Sequence, residues 1–488
     1  MRSGFLLFVG LFLFACSSSN DQETRQVDGF QKDLIQLKEY FQIPGIAAMV
    51  LKGDAILYED YLGYADLEAK QPLTAEVHFP IASITKVFSG VLAMQQVEEG
   101  RLSLENLVNR YIPAMGVDSS ILVKHLLSHT SQGIPGEQFY YSSRFGAMTS
   151  VLTQSSGKDF AGLMQEKIFD PLDLKQTFLL ESEEQVNLLG IKIAQPYAMN
   201  DAMEPGFIDY GYSASAGIVS TLHDLRIFNQ ALDNNTLIPE QSKQKMFQPF
   251  KKDLPYAYGI FSQVFDGQQL IWGYGQYDCY SSLLLKIPNK DLTLILLANN
   301  NLLSDPARLI NGQATSSLFV LSFLQNFLYE SINKGILEQE KAAKTSAVFN
   351  REKIKAQAQA AAFMARWDNE AYLESQVLLE YLFETYPAYE SYADLNLLHT
   401  LSFLKDVAFY KDLEPAAQFD QQLENIGQQL LAHDPYNPYA HVYLANFHAR
   451  KDHIEQARYH YESIVNLPNF AKNWYTEDAT NWIKENLQ

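Results

Sequence analysis

Two stretches far apart in the chain carry short runs of β-branched and aromatic residues broken by turn sequences. Residues 46–51 and 55–61 flank Lys52-Gly53-Asp54 and read as a hairpin, and 282–287 and 292–298 flank Pro288-Asn289-Lys290-Asp291 in the same way. Between them the apolar positions return with helical spacing, over 87–99, closed by Gly100, and over 103–111. The simplest arrangement is α+β: both hairpins join in one antiparallel sheet, helices flank it, a helical subdomain holds the middle of the chain, and 316–328 forms a closing helix. At 331–346 the pattern turns polar and charged, as a linker does, and beyond it strand patterns vanish, so 347–488 reads as a separate all-α domain.

Within that domain, residues 439–468 place Leu444, Ala445, Ala457, Tyr461 and Pro468 at spacings that resemble one tetratricopeptide repeat, and 372–387 resemble a weaker partial copy. One such repeat cannot bury its own apolar face, so neighbouring helices must cover it. The helices then offer either a groove for a protein partner or a buttress for the domain before them.

The start of the chain changes the picture. Arg2 precedes an apolar run over 5–15 that is too short to span a bilayer and reads as a secretory signal. Leu13-Phe14-Ala15-Cys16 followed by a polar run resembles a bacterial lipoprotein signal, which implies a signal peptide over 1–15, lipid on Cys16 and a flexible linker over 16–27. The expected location is the cell envelope, with lipid as the anchor. With 57 acidic against 37 basic residues, the formal charge of -20 repels phosphate backbones and excludes nucleic acid as a partner. Cys16 and Cys279 are the two cysteines, so packing rather than disulfides must stabilise the chain.

A nucleophilic serine needs a base for its proton and donors for the oxyanion. Ser-x-x-Lys supplies the base, because residues three apart on a helix are neighbours and a buried amine readily loses its charge. The tetrapeptide occurs at Ser83, Ser155, Ser242, Ser331 and Ser402. Ser83 stands out: it follows Phe79-Pro80-Ile81-Ala82, opens a helix with Ile84, Val87, Phe88 and Val91 as apolar positions, and shares a stripe with Lys86 and Gly90. A helix N-terminus favours developing negative charge, and Gly90 leaves room for a close approach. The competing reading of Ser83 is a plain helix cap.

The segment HFPIASITKVFSGVLAMQQVEEGRLSLENLVNRYIP, from His78 to Pro113, resembles the active-site helix of the serine β-lactamase and penicillin-recognising hydrolases, in the class C-related branch with its carboxypeptidases and esterases. PGIAAMVLKGDAILYEDYLGYADLEAK before it agrees in order, as do VKHLLSHTSQG, GIVSTLHDL and SSLLLKIPNKDLTLILLANN after it. The resemblance implies a hydrolase domain over 28–330. It also implies Ser83 as nucleophile, Lys86 as its activator and, in Tyr141-Ser142-Ser143, a catalytic Tyr141 whose pKa the lysine lowers. Ser143 takes the place of a substrate-binding asparagine. The third motif falls at Gly273-Tyr274-Gly275, without its usual basic residue, and the N–H of Gln276, beside Gly275, becomes the second oxyanion donor next to that of Ser83.

Three other features invite chemistry and have plainer readings. His125 and His129 have metal-ligand spacing, but no glutamate follows His125 and a core or capping role suffices. Cys279 lies near the expected site, with buried packing as its reading. The aromatic residues over 139–141 and 272–280 read as packing that would also line a cleft. The expected activity is acyl transfer from an ester or amide, of β-lactamase, D-alanyl-D-alanine carboxypeptidase or esterase type, with no cofactor and no metal. The alternative is a catalytically weakened scaffold that recruits a partner through its C-terminal helices.

Overall fold

A computed structural model describes residues 9–113, 118–329, 336, 345–413, 419–470 and 473–486. Strands β1 (Gly45–Lys52), β2 (Ala55–Asp66) and β3 (Gln71–Pro72) come first. Short strands β4 (Phe79–Pro80), β5 (Phe178–Leu179), β6 (Tyr197–Met199), β7 (Met203–Pro205) and β8 (Ile218–Ser220) follow, forming a three-stranded sheet β4-β8-β5 and the pair β6-β7. Strands β9 (Phe261–Phe265), β10 (Gln268–Gln276), β11 (Ser281–Ile287) and β12 (Leu292–Ala298) complete a seven-stranded sheet in the order β3-β2-β1-β12-β11-β10-β9. The two expected hairpins therefore meet: β1 pairs antiparallel with β12 from Ile46 opposite Ala298 to Lys52 opposite Leu292.

The sheet is covered on both faces, and the two-residue period of its strands sorts side chains into two cores. Ile46, Ala48 and Val50 join Leu294 and Leu296 in one; Ala47, Met49 and Leu51 join Ile295 and Leu297 in the other. Helix α1 (Val9–Tyr40) covers the first face with Phe30, Leu34 and Leu37, beside the helix Leu318–Phe323 that closes the domain as expected. On the second face lies α2 (Thr85–Glu98), buried without a break from Thr85 to Met94. A helix enclosed all round is held by its surroundings rather than by one apolar stripe.

Several expectations change. The run over 16–27, expected as a flexible linker, belongs to the continuous helix α1. The segment 103–111 is not a helix: its backbone turns outward, with Leu107 bridged to Leu122 and the Asn106 carbonyl accepting from Val123 N–H, leaving one 3-10 turn at Val108–Arg110. The small sheets of the middle segment and strand β9 were not foreseen, because runs of two to five residues are too short to show a period. The linker over 331–346 lies, apart from Ile336, Thr345 and Ser346, outside the described residues.

The C-terminal region is all helical among its described residues, from Ala347–Met364 to Trp474–Asn486, and the stretch likened to a repeat holds two successive helices, Pro438–Arg450 and Ile454–Val465. It shares its core with the sheet domain, since Phe349, Ala358 and Leu379 pack in the same apolar cluster as Leu303, Phe319 and Phe327. Among the described residues no helix is long and apolar enough to cross a membrane.

Close approach to α2 depends on two glycines. Gly90 faces the segment 256–260, where a Cβ on it would lie 2.5 Å from the Tyr258 carbonyl oxygen, and Gly259, at φ +85°, lies against the Lys86 carbonyl. Alanine ordinarily stabilises a helix by about 1 kcal/mol over glycine. Here the sign inverts: Gly90→Ala should lose about 1–3 kcal/mol in urea unfolding because the backbone must shift. A variant as stable as the parent would contradict the packing described.

Candidate active site

Ser83 sits, half-buried, in a single 3-10 turn, Ala82–Ile84, that runs directly into α2. The residue before it, Ala82, has φ +46°, a left-handed backbone that costs a non-glycine residue of order 1–3 kcal/mol. Neighbouring strands hold this turn in place. Ile81 N–H donates to the Ile218 carbonyl at 2.9 Å, and Ser282 Oγ donates to the Ile81 carbonyl at 2.8 Å. Ser89 Oγ donates to the Ala214 carbonyl at 2.7 Å, fixing α2 one turn further on. Strand β10 passes so close that a Cβ on Gly275 would lie 2.1 Å from the Ile81 carbonyl oxygen. That contact sets Gln276 beside Ser83, and both line one cavity.

Lys86 points back along the helix to the serine. Its Nζ lies 2.8 Å from Ser83 Oγ and 3.0 Å from the Ser215 carbonyl, with 3% of the residue exposed. Burial lowers its pKa from 10.5 to about 7, because the ammonium form loses its hydration. An uncharged amine at this distance can accept the Ser83 proton. The rival tetrapeptides lack this pairing: Lys158 pairs with Glu166 and Lys405 with Asp420, Ser155 bonds to Gln96 and Ser242 to Glu98, and Ser331 lies outside the described residues.

Tyr141 completes the group. Its ring lies 4.9 Å from Lys86 Nζ, a cation–π distance, and its hydroxyl lies near enough to the Ser83 side chain to be influenced by it. The ring stacks on His129 at 4.2 Å and runs parallel to Phe261 at 5.9 Å. This aromatic enclosure reverses one expectation. Burial raises the Tyr141 pKa well above its ordinary 10, and the nearby Ser83 side chain opposes that only in part, so the phenol stays protonated and the lysine is the group with the weakened hold on its proton.

His129, at φ +54°, accepts the Ser142 N–H on Nδ1 at 2.9 Å, and burial together with Lys86 keeps it neutral. It therefore has the core role expected of it, but inside the site, under Tyr141. His125 Nδ1 accepts the Leu122 N–H at 3.2 Å, a capping role. No group of histidine, cysteine and acidic residues suited to a metal occurs among the described residues.

The cavity has a volume of about 390 Å³, and Ser83, Tyr141, Tyr274, Gln276, Cys279 and Arg308 are among the residues that line it. This is the size of a small-molecule pocket. Ser143 departs from expectation: it starts the 3-10 turn Ser143–Ala147, is exposed, and is not part of the wall. Cys279 is a buried free thiol whose pKa burial raises, so it is not poised as a nucleophile. Two contributors escaped the sequence reading. The Ser215 carbonyl acts through the backbone, which residue type does not encode, and Arg308 reaches the cavity from beyond the last strand.

A family model described as Beta-lactamase matches residues 30–315. Penicillin-binding protein 4* of Bacillus subtilis is 23% identical over 315 residues, covering 54% of this chain and 69% of that protein. A beta-lactamase of Escherichia coli is 25% identical over 268 residues, covering 48% and 69%. Among solved structures, an octameric penicillin-binding protein homologue from Pyrococcus abyssi superposes with a TM-score of 0.55 at 21% identity, covering 62% of this chain and 79% of that one. EstCE1, a hydrolase with promiscuous acyltransferase activity, gives 0.51 at 18% identity, covering 62% and 99%. At these identities the two structures speak for the fold.

The lowered pKa of Lys86 also predicts how stability depends on pH. The folded chain releases this proton near 7 and the unfolded chain near 10.5, so the burial cost is complete below pH 7. It shrinks by about 1.4 kcal/mol per pH unit between the two values and vanishes above them. Lys86→Met lacks the titration. Urea unfolding at pH 6 and pH 10 should therefore show the variant gaining on the parent at the lower pH. A difference independent of pH would contradict a buried, weakly basic amine.

Proposed function

Because this chain belongs to the beta-lactamase family, we propose that it is a serine hydrolase that cleaves an ester or amide through an acyl-enzyme. The observation that carries this reading is Ser83 Oγ within 2.8 Å of a buried amine that holds its proton weakly, at the wall of a cavity. Lys86 accepts the Ser83 proton as the oxygen attacks the carbonyl carbon. The N–H groups of Ser83 and Gln276 hold the oxyanion. Tyr141, kept protonated by burial, gives its proton to the leaving group, and Lys86 restores it; water then releases the acyl group by the same path.

The printed names of the relatives span penicillin binding, β-lactam cleavage and ester or acyl transfer. The substrate panel therefore comprises β-lactams, D-amino-acid peptides and simple esters. Two departures, Gly273 without a basic side chain and Ser143 outside the cavity, favour a second reading in which the fold serves as a scaffold and the C-terminal helices recruit a partner. No turnover across the panel, with a stable partner lost on truncation after Ser346, would favour that reading. Export and lipid attachment at Cys16 belong to the same proposal and rest on the signal-like sequence before it.

A fluorophosphonate probe followed by intact-mass analysis tests the nucleophile. The parent should gain one adduct and Ser83→Ala none; an adduct surviving in Ser83→Ala would remove the assignment. The labelling rate should rise with pH through about 7, as Lys86 loses its proton. Lys86→Ala should slow labelling about a hundredfold or more and flatten that profile.

A further inference from the structure

Tyr141 lies in a stretch with neither helix nor strand, between the helix Val123–Leu127 and the turn Ser143–Ala147. A side chain that hands over a proton must be held closely, since a displacement of about 1 Å costs on the order of a hundredfold in rate. Irregular backbone lacks the ladder of bonds that gives a helix or strand that precision. On its inner side the loop is tied to itself. The N–H of Tyr140 donates to the His129 carbonyl at 2.9 Å, and that of Ser142 donates to His129 Nδ1, also at 2.9 Å.

On its outer side the loop is tied to the helical region. Asn469, between the helices Ile454–Val465 and Trp474–Asn486, spans both ends of the loop with one amide. Its Nδ2 donates to the Ser131 carbonyl at 3.0 Å and to the Gly133 carbonyl at 3.3 Å, and its Oδ1 accepts from Arg144 at 3.2 Å. Arg144 closes the ring by donating to the Ser131 carbonyl at 2.8 Å. Donor and acceptor of the amide are thus spent on opposite sides of Tyr141. Asn469 has φ +56°, a left-handed backbone that asparagine tolerates better than most side chains.

A second hold acts on the residue before the tyrosine. Tyr140 donates to Asp434 Oδ1 at 2.6 Å, and its ring meets Phe470 edge-on at 4.8 Å. Asp434 ends the helix Asp420–His433, and its other oxygen accepts from Asn437 Nδ2 at 3.2 Å. Asn437 in turn caps Pro438–Arg450. A bond from a hydroxyl to a carboxylate is stronger than one between neutral groups, and this one joins a helix junction to the backbone that leads into Tyr141.

We propose that Asn469 and Asp434 are positioning residues for Tyr141, so that the helical region is part of the apparatus that protonates the leaving group. This rests on the hydrolase reading, in which Tyr141 supplies that proton, and adds what holds the donor in place. Loosening either hold should spare the Ser83–Lys86 pair, which other contacts fix, and impair the one step that needs the phenol.

The test uses the full chain and two esters with one acyl group, p-nitrophenyl butyrate and ethyl butyrate, compared by kcat/KM. The phenolate leaves without help, whereas the alkoxide must be protonated as it departs. Tyr141→Phe sets the reference by losing more on the ethyl ester. Asn469→Gly keeps the left-handed turn and removes the amide, and it should lower the ethyl rate about tenfold relative to the p-nitrophenyl rate. Fluorophosphonate labelling at Ser83 should stay within about threefold of the parent, which shows the variant folded and its nucleophile intact. Asp434→Ala should shift the ratio in the same direction, and Asp434→Asn, whose amide oxygen can still accept from Tyr140, should recover most of it. An unchanged ratio in Asn469→Gly, or equal losses on both esters, would overturn the proposal. An unchanged ratio in Tyr141→Phe would overturn the proton-donor role and the proposal with it. Absence of turnover by the parent, with no probe adduct at Ser83, would overturn the hydrolase reading itself.

Discussion

Burying a lysine amine is unfavourable unless its charge is paired or given up, and much of this structure follows from enclosing Lys86 against the Ser83 hydroxyl and the Ser215 carbonyl rather than against a carboxylate. The amine is enclosed by α2, the Tyr141 ring and the segment that offers the Ser215 carbonyl, with 3% of the residue exposed. An exposed lysine would hold its proton at neutral pH and could not take one from a serine. The same enclosure that makes Lys86 a base makes Tyr141 a weaker acid. Two groups on one serine are thus pushed apart in proton affinity, which is how a single pocket obtains an acceptor and a donor.

Enclosure requires close backbone contacts, and these explain the glycines and the strained turn. Gly90 and Gly259 let the segment 256–260 reach α2, and Gly275 lets β10 reach the turn before Ser83. Ala82 accepts a left-handed backbone because Ile81 is pinned on both sides, by Ile218 and by Ser282. The helical region adds further constraint around the tyrosine. Tyr140 donates to Asp434 at 2.6 Å, and Asn469 Nδ2 donates to the Ser131 carbonyl at 3.0 Å, so Tyr140 and the loop that leads to Tyr141 are tied to the C-terminal region. These contacts favour a buttress over a free-standing adaptor.

What the sequence disclosed and what it withheld divide along physical lines. The hairpins, α2 and the Ser83–Lys86 pair were legible because each depends on local periodicity or on residue types at fixed spacing, whereas Tyr141 and Gln276 came only through the family resemblance. Ser143 was misplaced because a motif gives no backbone direction, and Ser143 itself is exposed at the start of its turn. The shift at Tyr141 took the wrong sign because it depends on rings brought together from 129, 256, 261 and 274. Arg308 was not foreseen because its partner His399 lies 91 residues away, in a region read as separate.

The central claim is that Lys86, beside Ser83, gives up its proton near neutral pH. Nuclear magnetic resonance of the lysine side chains, labelled at Cε and Nζ and assigned through Lys86→Arg, observes that proton directly. The account predicts one lysine titrating with a midpoint near 7, far below the others. A Lys86 resonance that stays in its charged form up to the ordinary lysine value near 10.5 would contradict it.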